Sequence, residues 1–236
     1  YNVTIGDEAG TALTTGDGNI AIGFEALKTE DANGTATAVG YQALKTLNAG
    51  AESYNVALGY QAGTAITTGI QNTLIGALSG DAMTDADYNV GVGIGSLGAN
   101  VLGSQSTAIG TNSLFTQNPS SATNMVNVAV GYHAGFAVTT GTLNTLVGSQ
   151  TGDGITTGTR NTAMGYNTLG GAVDDGNYNT CIGSDAGLLT TGSQNCFVGG
   201  YDPSTGGSGE AMTTGSKNTI IGSYNGNMSS LDIRTS

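Results

Sequence analysis

Apolar and polar residues recur along this chain in a fixed five-residue phrase: Asn, a β-branched residue, a mostly small residue, an aliphatic residue, then Gly. The phrase occurs thirteen times, from Asn2-Val3-Thr4-Ile5-Gly6 to Asn218-Thr219-Ile220-Ile221-Gly222. Its closing glycines fall at 6, 23, 40, 59, 76, 93, 110, 131, 148, 165, 183, 199 and 222, and seven of the twelve intervals are 17 residues. A fixed period of this kind marks a stacked repeat. Position two is Val, Ile or Thr in twelve copies, with Cys196 the exception. Such residues suit a pleated surface, so the phrase predicts a strand.

Side chains alternate faces along a strand, so positions two and four share one face and position three lies on the other. Position three is mostly small (Ala21, Ala38, Ala57, Ala108, Ala129, Ala163) and enlarges at Leu74, Leu146, Phe197 and Ile220. Neither face carries charge, as in strands covered on both sides. The aliphatic row is therefore expected to line the interior, and the small row to lie outside against another chain. A second apolar position follows the closing Gly by seven residues, at Leu13, Leu47, Ile66, Met83, Val138 and Ile155. It predicts a second short strand on the opposite wall. The fold class that results is all-β: a parallel β-roll or β-solenoid of about thirteen coils with a dominant 17-residue period, on the order of 60 Å long at ~4.8 Å per coil.

Three further positions sharpen this picture. The opening Asn stands at Asn2, Asn19, Asn55, Asn72, Asn89, Asn127, Asn144, Asn161, Asn179, Asn195 and Asn218, with Ala36 and Ser106 in the other two copies. A stacked Asn row is expected to form a structural ladder of amides. The fourth residue after the closing Gly is either Gly (10, 63, 80, 135, 152, 187) or Leu (27, 44, 97, 114, 169) in the first eleven coils. Thr-Thr-Gly ends six coils, always with its Gly three residues before the next Asn. That offset predicts one reused tight turn in which Gly supplies a positive φ.

Composition excludes several functions. Charged residues are 9% of the chain, against about 25% in ordinary domains. Low-complexity disorder would fit that figure, but a disordered chain has no reason to keep one register apolar. The net charge is −12 with five Lys and Arg, so no basic stripe is available to track nucleic acid. No apolar run approaches the ~20 residues of a membrane span. The chain starts inside a repeat and without Met, so it is expected to be part of something longer. Residues 1–228 form the repeat domain, and 229–236 read as the start of a following segment.

Candidate chemistry is sparse. The acidic residues Glu30, Asp31, Asp81, Asp85, Asp87, Asp174 and Asp175 sit in predicted loops, where solvation explains them better than paired-carboxylate catalysis. Lone His133 has no nucleophile motif beside it. Gly91-Val92-Gly93-Ile94-Gly95 has no Lys and Ser/Thr partner for a phosphate loop. No calcium nonapeptide or EF-hand loop occurs. We therefore expect no catalysis, metal or cofactor. Cys181 and Cys196 occupy opposite-facing positions and are expected to be free thiols. The Thr pairs lie in turns and skip coils, unlike a strand-borne ice-binding array. Phe24, Tyr41, Tyr60, Tyr132 and Tyr166 each follow a closing Gly, and Tyr54, Tyr88 and Tyr178 each precede an Asn. Corner rows of this kind are candidates for glycan or partner contact, or for packing between subunits.

The phrase with its following aromatic, as in Asn55-Val56-Ala57-Leu58-Gly59-Tyr60 and Asn161-Thr162-Ala163-Met164-Gly165-Tyr166, resembles the repeats of YadA-like heads. Those are left-handed parallel β-rolls of trimeric autotransporter adhesins. The longer string from Gly59 to Gly69, continuing at Asn72-Thr73-Leu74-Ile75-Gly76, looks like repeats of bacteriophage tail fibres, where they precede a self-cleaving chaperone. The exit Leu231-Asp232-Ile233-Arg234-Thr235-Ser236 is similar to the segment that follows those repeats. The likeness spans residues 1 to 236, although adhesin heads use coils shorter than 17 residues. It implies a left-handed homotrimer at the virion or extracellular surface, without membrane insertion: the structural rod or receptor-binding shaft of a phage tail fibre, with a host glycan or protein receptor as partner. The alternative it implies is the head of a bacterial surface adhesin that binds matrix or glycan.

Overall fold

The computed structural model describes all residues except 33, 172–175, 229–230 and 233–236. Asn33, Asp174, Asp175 and most of the exit segment therefore lie outside the described residues. Among those described there is no helix. The strands are β1 (Val3–Ile5), β2 (Ile20–Ile22), β3 (Thr37–Val39), β4 (Val56–Leu58), β5 (Thr73–Ile75), β6 (Val90–Val92), β7 (Gly103–Ser104), β8 (Thr107–Ile109), β9 (Thr123–Asn124), β10 (Val128–Val130), β11 (Thr145–Val147), β12 (Thr162–Met164), β13 (Thr180–Ile182), β14 (Cys196–Val198), β15 (Thr219–Ile221), β16 (Asn227–Met228) and β17 (Leu231–Asp232). The chain forms two compact units, Tyr1–Asn124 and Met125–Ser236.

In the first unit the strands pair in the order β1-β2-β3-β4-β5-β6-β8, all parallel and in register, as in Val56↔Thr73, Ala57↔Leu74 and Leu58↔Ile75. In the second the order is β10-β11-β12-β13-β14-β15 with the same register. Equivalent residues of successive phrases thus lie side by side, which makes each unit a parallel β-solenoid. The six pairings of the first unit and five of the second give about eleven turns.

The closing Gly is required twice over. At Gly76 φ is +130°, and a Cβ there would lie 2.6 Å from the carbonyl oxygen of Gly93 in the next coil. Any side chain would clash with backbone, which has nowhere to retreat. The Gly of Thr-Thr-Gly has a different reason from the one expected. Gly69 and Gly141 are not among the positive-φ residues; the left-handed position comes two residues later, at Gln71 and Leu143. A Cβ on Gly69 would sit 2.5 Å from the Ala86 carbonyl oxygen, so close backbone approach excludes a side chain there.

The two faces of the strand are the reverse of the expectation. Position three points inward: Ala21, Ala38, Ala57, Leu74, Ala108, Ala129, Leu146, Ala163, Cys181 and Phe197 are fully buried. Positions two and four point outward, with Leu58 48% and Ile5 59% exposed. The interior belongs to the small row because the opposite wall supplies the bulk. Leu27, Leu44, Leu97 and Leu114, four residues after the closing Gly, are fully buried and left-handed, with φ between 47° and 56°. A left-handed Leu costs about 1–2 kcal/mol, and burying its side chain returns about 1.5–3 kcal/mol.

Position three and this fourth position exchange volume. Leu at 27, 44, 97, 114 and 169 follows Ala21, Ala38, Gly91, Ala108 and Ala163, whereas the larger Thr4, Leu74, Leu146 and Cys181 are followed by Gly at 10, 80, 152 and 187; Ala57 and Ala129 are followed by Gly63 and Gly135, and in the longer coil after Phe197 the residue against the ring is Gly209. A Cβ on Gly80 would meet the Leu74 side chain at 2.9 Å, and one on Gly209 the Phe197 ring at 2.7 Å. On the far wall Leu47, Ile66, Met83, Val138 and Ile155 are buried as expected, but no continuous strand carries them. Successive coils are tied there by turn bonds, as where the Thr84 carbonyl accepts the N–H groups of Thr67, Thr68 and Gly69 at 3.0, 3.3 and 3.2 Å. Among the described residues only β7 and β9 pair on that side of the first unit, over two residues each.

Candidate interaction surface

Period-two alternation extends beyond the three strand residues. Around β4, Tyr54, Val56, Leu58 and Tyr60 are all exposed, while Ser53, Asn55 and Ala57 between them are buried. The outward face is therefore four rows wide: the residue before Asn, positions two and four, and the residue after Gly. Across the first unit the central rows read Val3, Ile20, Thr37, Val56, Thr73, Val90, Thr107 and Ile5, Ile22, Val39, Leu58, Ile75, Val92, Ile109. In all four rows of that unit the one charged side chain is Asp7, in the first coil.

The buried Asn row fixes this face from behind. Asn55 Oδ1 accepts the backbone N–H of Asn72 at 2.9 Å, and Asn55 Nδ2 donates to the Gly69 carbonyl at 2.8 Å. Asn72 does the same toward Asn89 and Ala86. In the second unit Oδ1 acceptance runs from Asn127 through Asn144, Asn161, Asn179 and Asn195 to the N–H of Asn218. Ala36 donates its N–H to Asn19 at 3.0 Å but has no side-chain amide to continue the row. Amides so placed satisfy buried backbone groups and leave nothing for a substrate.

The aromatic candidates fall into separate groups. Phe24, Tyr41 and Tyr60 stack along one margin of the first unit's face with centroids 5.3 Å apart at each step. Tyr41 has both ring faces covered, and Phe24 and Tyr60 each give one face to it. Tyr132 stacks instead on His133 at 4.0 Å, and His133 on Phe136 at 4.7 Å, so His133 is an element of an aromatic stack. Tyr166 is 56% exposed. Tyr178 carries the Arg160 guanidinium 5.5 Å from its ring centre.

Beside the Phe24 stack runs a charged cluster that sequence reasoning did not single out. Glu25 bonds Lys28 at 2.7 Å, Lys45 at 2.6 Å and the Gln42 amide at 2.7 Å, and Lys28 also reaches Glu8. Hydrogen bonds from Lys28, then from Lys45 and Gln42, bring the Glu25 carboxyl down to about 2. Hydrogen bonds to Glu25, then to Glu8, raise the Lys28 ammonium above its ordinary range. The 17-residue period held the signal, since it places Glu8, Glu25 and Gln42 in one row. Burial pushes the carboxyls of Asp81 and Asp153 up. No disulfide joins Cys181 and Cys196; Cys181 is buried, and Cys196 is half-buried on the outward side.

Among the described residues no cavity opens that would enclose a small molecule, and no three His, Cys, Asp or Glu side chains are grouped to hold a metal ion. No helix among them is long and apolar enough to cross a membrane. The fold defines the chain as a parallel β-solenoid whose conspicuous surface is an exposed apolar sheet face. Comparisons with protein-family models, curated proteins and solved structures find no match to it.

Proposed function

We propose that this chain is a non-catalytic shaft segment of a surface fibre of the kind carried by bacteriophage tails, acting as a homotrimer that brings the virion to its host cell. The observation that carries this reading is the reuse of one coil throughout both units. The Asn ladder and the Gly stack spend their polar groups on the neighbouring coil. Such a design supports length and stiffness rather than chemistry, because each repeat contacts only its neighbours. The low charge and the Thr- and Gly-rich corners suit an extracellular surface that meets a glycan or protein receptor. The test is competition: purified chain, incubated with a panel of bacterial cells, should bind one host and block adsorption of the phage that infects it. Absence of binding across the panel would overturn the attachment role. Release of reducing sugar from host polysaccharide would overturn the non-catalytic one.

A further inference from the structure

We infer that Tyr54, Gln71, Tyr88 and Gln105 form a track for a neutral glycan chain lying along the solenoid axis of the first unit. The inference rests on the receptor-binding reading above and gives it a site and a ligand class. These residues stand directly before Asn55, Asn72, Asn89 and Ser106, the first positions of four successive phrases. The parallel register therefore sets them side by side, one per coil, along the margin opposite the Phe24 stack. All four are exposed, Tyr54 by 55% and Tyr88 by 48%.

The two margins differ in what their side chains already do. At the Phe24 margin Tyr41 is covered on both faces. The Gln61 amide donates there to Gln42, and the Gln42 amide to Glu25, at 2.8 and 2.7 Å. At the opposite margin neither Tyr54 nor Tyr88 meets another ring, and the Gln71 and Gln105 amides have no hydrogen-bond partner among the described residues. Rings and amides thus alternate there with their recognition groups unused. The backbone beneath them is fixed. All four residues are left-handed, with φ of 50°, 58°, 59° and 64°. Their geometry is held by N–H bonds from Gln71 to Ser53 at 2.7 Å, Tyr88 to Ile70 at 3.1 Å and Gln105 to Asp87 at 2.9 Å. A ligand meeting this row loses little to backbone ordering.

This alternation matches the chemistry of a sugar chain. A pyranose carries a face of C–H groups, which packs on an aromatic ring. Its rim of hydroxyls pairs with an amide, which both donates and accepts. Coils rise ~4.8 Å each, comparable to the advance per ring of an extended glycan. Tyr54 and Tyr88, two coils apart, then receive alternate sugars, and Gln71 and Gln105 receive those between and beyond. The neutrality of the ligand follows from charge. No Lys or Arg stands among the four residues, and the chain carries a net charge of −12, so a polyanionic glycan is repelled.

Isothermal titration of the full chain with cellohexaose, mannohexaose and chitohexaose tests this. At least one should bind with a Kd below about 1 mM, and hexagalacturonate should not bind. Tyr54→Ala/Tyr88→Ala should weaken the binding at least about tenfold with unchanged far-UV circular dichroism. Tyr54→Phe/Tyr88→Phe should retain it, because the ring faces remain, and Tyr166→Ala should leave it unchanged. Should the Ala double variant fail to fold, Gln71→Ala/Gln105→Ala decides instead, with the same expected loss. Binding of none of the three neutral hexasaccharides, tighter binding of hexagalacturonate, or undiminished binding in the folded Ala variant would overturn the inference. A chain that attaches to its host and binds none of the three removes this inference alone. A chain that binds one of them and attaches to no cell removes the attachment reading alone.

Discussion

The outward face of β1 to β8 and that of β10 to β15 stand on the same register and carry different chemistry. Position two is Val or Ile in four of the first unit's seven phrases and in one of the second unit's six, where Thr takes over. The inward row shows no such divergence: in both units it is Ala, Gly or a larger residue matched by Gly on the opposite wall. The difference separates two kinds of constraint within one five-residue phrase. Inward residues answer to a volume that adjacent coils share. Outward residues answer to whatever the face meets.

The largest effect should come from the backbone contacts that both units share. Gly76→Ala places a Cβ against the Gly93 carbonyl at a strained φ, and we expect a loss of at least about 4 kcal/mol, enough to unfold the first unit. Gly222→Ala meets nothing within 4 Å and bears φ strain alone, about 1–3 kcal/mol. Calorimetric scans of the two variants should differ accordingly, and equal losses would break the argument for the Gly stack.

Core volume comes next. Phe197→Ala should cost about 3–5 kcal/mol and Leu74→Ala about 2–5 kcal/mol, read from denaturant midpoints. Exchange of volume makes a sharper demand. Because Gly80 already has the left-handed φ of +58° that Leu97 tolerates at +56°, Leu74→Ala/Gly80→Leu should be more stable than Leu74→Ala. A double variant that is less stable would refute the exchange.

The ladder gives a smaller contrast. Asn72→Ala strands the N–H of Asn89 and the carbonyl of Ala86 and should cost about 1–3 kcal/mol. Asn2→Ala, in the exposed first coil, should cost under about 1 kcal/mol. Urea midpoints of the two variants measure the difference.

The smallest effect is electrostatic and separates the units. Glu25 has a folded pKa of about 2, below its ordinary 4.5. Its contribution is therefore full above pH 4.5 and is lost as the pH falls from 4.5 toward 2. Melting of the first unit should drop across that window, and Glu25→Gln should remove that part of the dependence. Asp81 and Asp153 are raised by burial, one in each unit, so each favours folding on protonation.

The strand of the phrase, the coil period and the residues of the Asn row were legible in the sequence, because each imposes one residue type at one register; the second strand expected on the opposite wall does not form. The facing of the strand was not. Both faces are apolar, so alternation alone could not say which was inside, and aliphatic size pointed the wrong way. The informative signal was correlated size: Leu27, Leu44, Leu97, Leu114 and Leu169 follow only Ala or Gly at position three, and Leu74 and Leu146 are followed by Gly at 80 and 152. Two residues that never enlarge together share one space. The Phe24 stack was visible only as a spacing, since stacking of the rings on one another depends on side-chain geometry.

The two native thiols test the facing directly, without substitution. Cys181 stands at the inward position three and is buried, whereas Cys196 stands at the outward position two. Maleimide labelling of the folded chain, read by peptide mass spectrometry, should modify Cys196 and spare Cys181 until denaturant is added. Preferential labelling of Cys181 in the folded chain would contradict the account.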